Sequence, residues 1–269
     1  MSVSRRVFLT AGSAAAAVGL VSRSTASEQA APTAPAVHDL FPTQPPELVR
    51  EMVGVSHGAV ARVRELVLKR PALAKAVWDW GYGDWESALG AASHVGHREI
   101  AELLIANGAR PDLFSAAMLG QLDVVKAFIA QSPGSERIRG PHGIPLLAHA
   151  EAGGERALPV VAYLRTIEGT GERAVDNPMT EAEIAALTGR YRFGPGPRDV
   201  FVVEPPKGKL VQLGIARVDG TARNLFHIGG RRFHPAGAEA VRLQFSPETP
   251  AATLTLSDPD PVVAARRET

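Results

Sequence analysis

A helix–turn–helix pattern that recurs along its middle third constrains this 269-residue chain more than any other feature. The stretch GDWESALGAASHVGHREIAELLIANGARPD, residues 83–112, shows it best. Leu89, Ala92 and Ser93 lie three or four apart and share one helix face; Ile100, Ala101, Leu103 and Leu104 do the same for a second helix. Small side chains on the first helix let the second approach closely. Gly96 allows a tight turn between them, and Gly108 stands where a helix end favours a left-handed residue. Residues 113–133 repeat the pattern with Ala116, Ala117, Gly120, Val124, Val125, Phe128 and Ile129. Residues 143–164 repeat it with Leu146, Leu147, Ala150, Gly154, Val160, Val161 and Leu164. Upstream, VSHGAVARVRELVLKRP supplies Gly58, Val63, Leu66 and Val67. A hairpin of this kind cannot bury its apolar face alone, and about three must stack. Four copies meet that minimum, with the first and last expected to act as caps.

Within the best copy the order is a turn, then S-A-L-G-A-A, then G-H, then I-A-E-L-L-I, then G-A-R-P-D. This resembles the ankyrin repeat. Ser87, Ala88 and Leu89 stand where that motif has Thr-Pro-Leu, Gly90 replaces its usual histidine, and Gly96-His97 and Gly108-Ala109 match its two glycine pairs. The resemblance implies a solenoid of helical hairpins with β-turn fingers along one side. It also implies a partner-binding surface formed by the fingers and the concave helix face. The interhelical glycines Gly58, Gly96, Gly120 and Gly154 are spaced 38, 24 and 34 residues apart, against about 33 for the motif. The short spacing leaves no room for a finger between Gly108 and Ala116. The long one predicts an extended finger, and WDWGYGDW, residues 78–85, falls inside it with all three tryptophans of the chain. Trp78 and Trp85 are expected to cover apolar helix edge. Trp80 and Tyr82 are expected at the finger tip, where packing and recognition both remain open. These four are the candidate partner contacts, because Trp and Tyr give large contact area at low entropy cost.

From about Tyr191 the period changes. TEAEIAAL, residues 180–187, reads as a short helix that Thr180 caps and Glu183 closes reciprocally. Then come YRF, DVFVVE, KLVQLGIA, RNLFHIG, RRFHPA, AVRLQFS and ATLTLS, separated by turn residues. Seven short strands in about 70 residues predict an antiparallel sandwich or barrel. Leu187, Gly189 and Tyr191, with the strands after them, resemble the small β domain appended to beta-lactamase-like serine hydrolases. That resemblance implies no chemistry of the domain's own. The fold class expected is therefore multidomain, α plus all-β: an ankyrin-type helical-hairpin solenoid over residues 48–168, a linker over 169–179, and a small antiparallel β sandwich or barrel over 180–269.

The N-terminus reads as an address. Arg5 and Arg6 precede an apolar block of about eleven residues and then Ser24-Thr25-Ala26. The order resembles a bacterial twin-arginine export signal over residues 1–26, too short to span a bilayer. A Pro/Ala-rich linker over 27–47 follows. Export to the periplasm or beyond is the expectation. Removing residues 1–26 takes three arginines and no acid, leaving 29 − 3 = 26 basic against 28 acidic side chains. No basic surplus remains for nucleic acid. The partner expected is a protein or a component of the cell envelope, and no membrane span is expected after the signal is removed. With no cysteine, disulfides, thiolate metal sites and a cysteine nucleophile are excluded.

Reaction centres are scarce. The chain lacks S-x-x-K, H-E-x-x-H and a P-loop. His94 and His97 are three apart and His142 and His149 seven apart, but a zinc site needs a third or fourth ligand. His227 and His234, beside Arg231 and Arg232, are expected to face solvent or lie at a sheet edge, with anion binding as the alternative. Asp258 and Asp260 flank Pro259 in a turn. The expectation is a binding or scaffold module with no catalytic residues, no cofactor and no metal. The alternatives are a small apolar ligand held in a barrel lined by Phe201, Leu213, Phe226 and Phe245, or an enzyme site between the domains.

Overall fold

The computed structural model describes residues 38–208 and 211–269. The export signal, most of the lead-in and Lys209-Leu210 lie outside the described residues. Residues 38–269 form one compact unit.

The helical half begins with α1 (Pro46–Val55) and α2 (Val60–Lys69), followed by α3 (Ala88–His94) and α4 (Arg98–Ala106). Then come α5 (Leu113–Met118), α6 (Leu122–Gln131), α7 (Leu146–Ala152) and α8 (Leu158–Leu164). Each odd helix packs on the even helix after it, and α1, α3, α5 and α7 pack in succession on one another. Local chemistry sets the boundaries. Ser87 caps α3 by accepting the Gly90 N–H at 2.9 Å. Asp112 and Ser115 cap α5 reciprocally. The small residues of the first helices, Ala88, Ala91, Ala92, Ala116 and Ala117, are fully buried and allow the close stacking. Gly96 shows how close it is: its φ is +75°, and a Cβ there would fall on the Ala152 carbonyl. Only six residues separate α4 from α5, so that connection carries no finger. Apolar side chains form two helical cores, one around Met52, Leu66, Leu89, Ile100 and Leu104, the other around Leu113, Val125, Leu146, Val160 and Leu164.

The extended finger is a two-stranded hairpin, β1 (Val77–Asp79) and β2 (Trp85–Ser87), with Trp78 opposite Glu86 and Asp79 opposite Trp85. Its tip, Gly81-Tyr82-Gly83, has φ of 109°, 64° and 83°. The flanking glycines take the left-handed region freely; Tyr82 does so at a cost.

After α9 (Glu181–Leu187), capped by Thr180 and Glu183 as the sequence predicts, the chain closes a barrel. Its strands are β3 (Gly189–Arg192), β4 (Val200–Glu204), β5 (Leu213–Arg217), β6 (Arg223–His227), β7 (Arg232–Pro235), β8 (Arg242–Phe245), β9 (Thr253–Asp258) and β10 (Asp260–Arg267). Each pairs antiparallel with its sequence neighbour, and β10 returns to β3. The architecture is a barrel rather than a sandwich, with eight strands rather than seven. The turn at Pro259 joins β9 to β10. That last strand escapes the alternation argument because Ala265 is its only buried apolar residue and Val262 is exposed.

An eight-stranded barrel has room for side chains and little else. Here Tyr191, Leu213, Leu225, Phe233, Leu243, Phe245 and Leu254 pack its interior. Phe226, one residue on from Leu225, alternates to the outside, so the four residues proposed as a ligand lining do not enclose one space. His234 is buried, with Nδ1 3.0 Å from the Pro235 carbonyl, which corrects the expectation that it faces solvent.

Residues 169–179 are tied down at several points. Asp176 accepts the His227 N–H at 2.8 Å and the Gln212 N–H at 3.2 Å; the Asn177 N–H donates to the His227 carbonyl at 3.0 Å. No helix among the described residues is long and apolar enough to cross a membrane.

Candidate metal centre

Strand alternation divides the finger into two faces. Val77, Asp79, Trp85 and Ser87 occupy the outer face, and Trp78, Trp80, Asp84 and Glu86 turn inward. Trp85 is 63% exposed, so the expectation that it covers apolar helix edge does not hold. Trp78 and Trp80 pack on the first helical core. Tyr82 reaches across to the barrel core. Trp80 and Tyr82 are therefore not free at a tip; the finger they belong to joins the helical array to the barrel.

The inward carboxylates complete a polar cluster. Glu86 is fully buried. Its Oε2 accepts the Trp80 Nε1–H at 2.6 Å. Its Oε1 lies 3.0 Å from His94 Nε2, 3.3 Å from His142 Nε2 and 3.6 Å from His57 Nε2. None of these approaches has hydrogen-bond direction, and Oε1 has no hydrogen-bond partner. The Nε2 atoms of His57 and His94 are themselves 3.0 Å apart. One ligand atom from each of the four residues falls within 4.8 Å of every other.

Local structure aims each ring. His57 follows α1, where its Nδ1 lies 3.0 Å from the Gly54 carbonyl; donating there leaves the Nε2 lone pair free. His94 ends α3. His142 sits between α6 and α7 in a left-handed conformation, φ 61°. Asp84 holds it there, accepting the His142 backbone N–H at 2.9 Å and facing Nδ1 at 2.7 Å. Asp84 is paired in turn with the Arg223 guanidinium of β6, which also donates to the Ala236 carbonyl at 2.8 Å. A carboxylate behind the Nδ1 of a histidine whose Nε2 faces a shared centre is the usual support of a metal-ligating imidazole.

The electrostatics agree. Burial pushes the Glu86 carboxyl up, but the approach of His142 and His94 outweighs it and carries the group down to about 2. Burial pulls His142 down, but Asp84 and Glu86 outweigh that and raise it to about 9. Burial likewise pushes Asp84 up, and His142 and Arg223 hold it below the usual carboxylate range. The carboxylates thus favour the protonated His142 ring, and a metal ion bound there would have to displace that proton. Nearby His149 behaves differently: burial, reinforced by His94, takes it to about 3, and it stands neutral with neither ring nitrogen hydrogen-bonded.

Three imidazole nitrogens and one carboxylate oxygen fit a first-row divalent ion. With metal–ligand distances of ~2.0–2.2 Å, the edges of a tetrahedron are ~3.3 Å. Four of the six edges, at 3.0 to 3.6 Å, bracket that value, and the other two lie within 4.8 Å. Imidazole donors suit zinc, copper, iron or nickel; a magnesium or calcium site would need more oxygens.

Four residues that could hold a metal ion therefore converge, and they are a different set from the histidine pairs picked out in the sequence. His97 stays apart and precedes α4 as its N-cap. His149 lies behind His94, with ring centroids 6.3 Å apart. Sequence reasoning missed His57 and Glu86 as ligands, and Asp84 and Arg223 as their support. A signal was present: His57 and His94 both stand at the C-terminal end of a first helix in consecutive copies, positions that stacking superimposes.

The cluster opens on a cleft of about 600 Å³ between the helical array and the barrel, whose walls include His57, Trp80, His142 and Arg223. No protein-family model and no curated protein matches this chain.

Proposed function

We propose that this protein binds a divalent transition-metal ion through His57, Glu86, His94 and His142 and presents it to a small molecule in the adjoining cleft. One observation carries the reading: a buried carboxylate oxygen without a hydrogen-bond partner faces three imidazole nitrogens at the spacing of a coordination tetrahedron. Buried polar atoms are normally satisfied, and an ion would satisfy all four donors at once. His57 and His142 are partly exposed toward the cleft, so a further ligand can approach the ion past them. The test is metal analysis and calorimetric zinc titration of the purified chain. One equivalent is expected for the wild type and none for His94→Ala with His142→Ala. A wild type that takes up no zinc, copper, iron, cobalt, nickel or manganese would remove the reading.

A second reading keeps the expected role in protein recognition. The succession of packed helix pairs and the glycine-turned connections support an ankyrin-type array, and the exposed Trp85 with Val77 beside it supports a contact on the outer finger face. On this reading the partner is an envelope protein met after export. Trp85→Ala would then abolish its co-purification with the exported chain, whereas the histidine variants would not.

A further inference from the structure

The cleft beside the histidines also carries information about what it holds, on the condition that the metal reading is right. A divalent ion on three neutral imidazoles and one carboxylate leaves a net charge of +1. The next charges do not cancel it, because Asp84 and Arg223 neutralise each other. Arg223 brings its guanidinium to 3.5 Å from the His142 ring, and its Nε–H is buried without an acceptor. On the same wall Arg173 is offset by Asp176, so the charge left over is that of the ion. A positive centre of this kind, removed from bulk water, favours an anionic oxygen ligand.

The rest of the cleft is mostly apolar, with Thr221 and Asn224 as its uncharged polar residues. Trp80, Ile144, Val211 and Phe226 supply large side chains, and Phe226 is there because alternation turns it out of the barrel. The lining also holds a carboxylate, Asp176, already accepting two backbone N–H groups. It stands where a second anionic group of a ligand would be repelled. The volume of about 600 Å³ lies within the range of small-molecule sites.

From these we infer that the cleft binds a small monocarboxylate with an apolar, preferably aromatic, body. The carboxylate approaches the ion past His57 and His142 as a fifth ligand, and the body lies against Trp80, Ile144, Val211 and Phe226. The step is coordination: the carboxylate oxygen donates a lone pair to the ion, and no covalent bond of the ligand breaks.

The experiment is calorimetry with phenylacetate as the probe, run on zinc-loaded and metal-free full-length protein. Binding is expected to the zinc form alone. Acetate, which lacks the body, should bind at least tenfold more weakly, and phenylethylamine, which lacks the anion, should not bind. Phe226→Ala should weaken phenylacetate about fivefold, the range of one aromatic contact, with zinc affinity unchanged. Zinc uptake without phenylacetate binding, or equal binding to the zinc-loaded and metal-free forms, overturns the ligand inference and leaves the metal centre standing. Equal affinity for acetate and phenylacetate overturns the apolar half of it. Failure to take up metal removes both.

Discussion

Replacing Glu86 by Gln tests the metal centre with the least change of shape. The amide keeps the volume and can still accept the Trp80 Nε1–H, but it removes the charge that faces the three imidazoles. For metal-free wild type, zinc at one hundred times its Kd stabilises the fold by about 2.7 kcal/mol. The folded unit spans about 230 residues, and unfolding entropy is roughly 2.1 cal/mol/K per residue, so each degree corresponds to about 0.5 kcal/mol. Zinc should therefore raise the wild-type Tm by about 5 °C. Losing a hydrogen bond behind a ligand costs up to ~100-fold in metal affinity, and losing the charged ligand costs at least that much. At the same zinc concentration Glu86→Gln would then sit near its own Kd, where the gain is about 0.4 kcal/mol and under 1 °C. The assay is differential scanning calorimetry of EDTA-treated protein with stepwise zinc. An equal rise in both proteins refutes the assignment of Glu86. No rise in the wild type with any first-row ion refutes the centre itself.

Three other perturbations probe the parts around it, and a fourth probes the export route. Asp84→Asn leaves Arg223 buried without its counter-charge and loosens His142; the expected cost is about 3–5 kcal/mol in urea unfolding, with zinc affinity down about 10- to 100-fold. Trp80→Phe, which keeps the packing but loses the bond to Glu86 Oε2, should weaken zinc binding. Trp85→Ala should change stability by less than about 0.5 kcal/mol; a large loss there, with none in zinc affinity for Trp80→Phe, would reverse the inside and outside of the finger. Arg5→Lys with Arg6→Lys should retain the protein in the cytoplasm, and its appearance in the periplasm, followed by fractionation and immunoblot, would rule out the twin-arginine route.

The helical periodicity of residues 50–164, the glycines at the turns, the caps at Ser87 and Thr180 and the change to strands after Tyr191 are all conditions on near neighbours, and the sequence determines them. The long finger is equally legible, as a spacing of 38 where its neighbour has 24. What the finger does is another matter. Trp85 and Glu86 are adjacent, yet one faces water and the other the buried cluster, and only the hairpin register with Trp78 decides which.

The centre itself belongs wholly to the tertiary structure. His57, Glu86, His94 and His142 come from the end of one helix, a finger strand, the end of a second helix and a connecting loop. The repeat relates His57 to His94, and no periodicity relates those two to Glu86 or His142. Coordination demands donors within a few ångströms in three dimensions. That condition is met only when α1 and α3 stack, the finger folds inward and Arg223 of the barrel holds Asp84 behind His142. A linear pattern records the shape of each piece, because each shape follows from its own backbone; it does not record where the pieces meet.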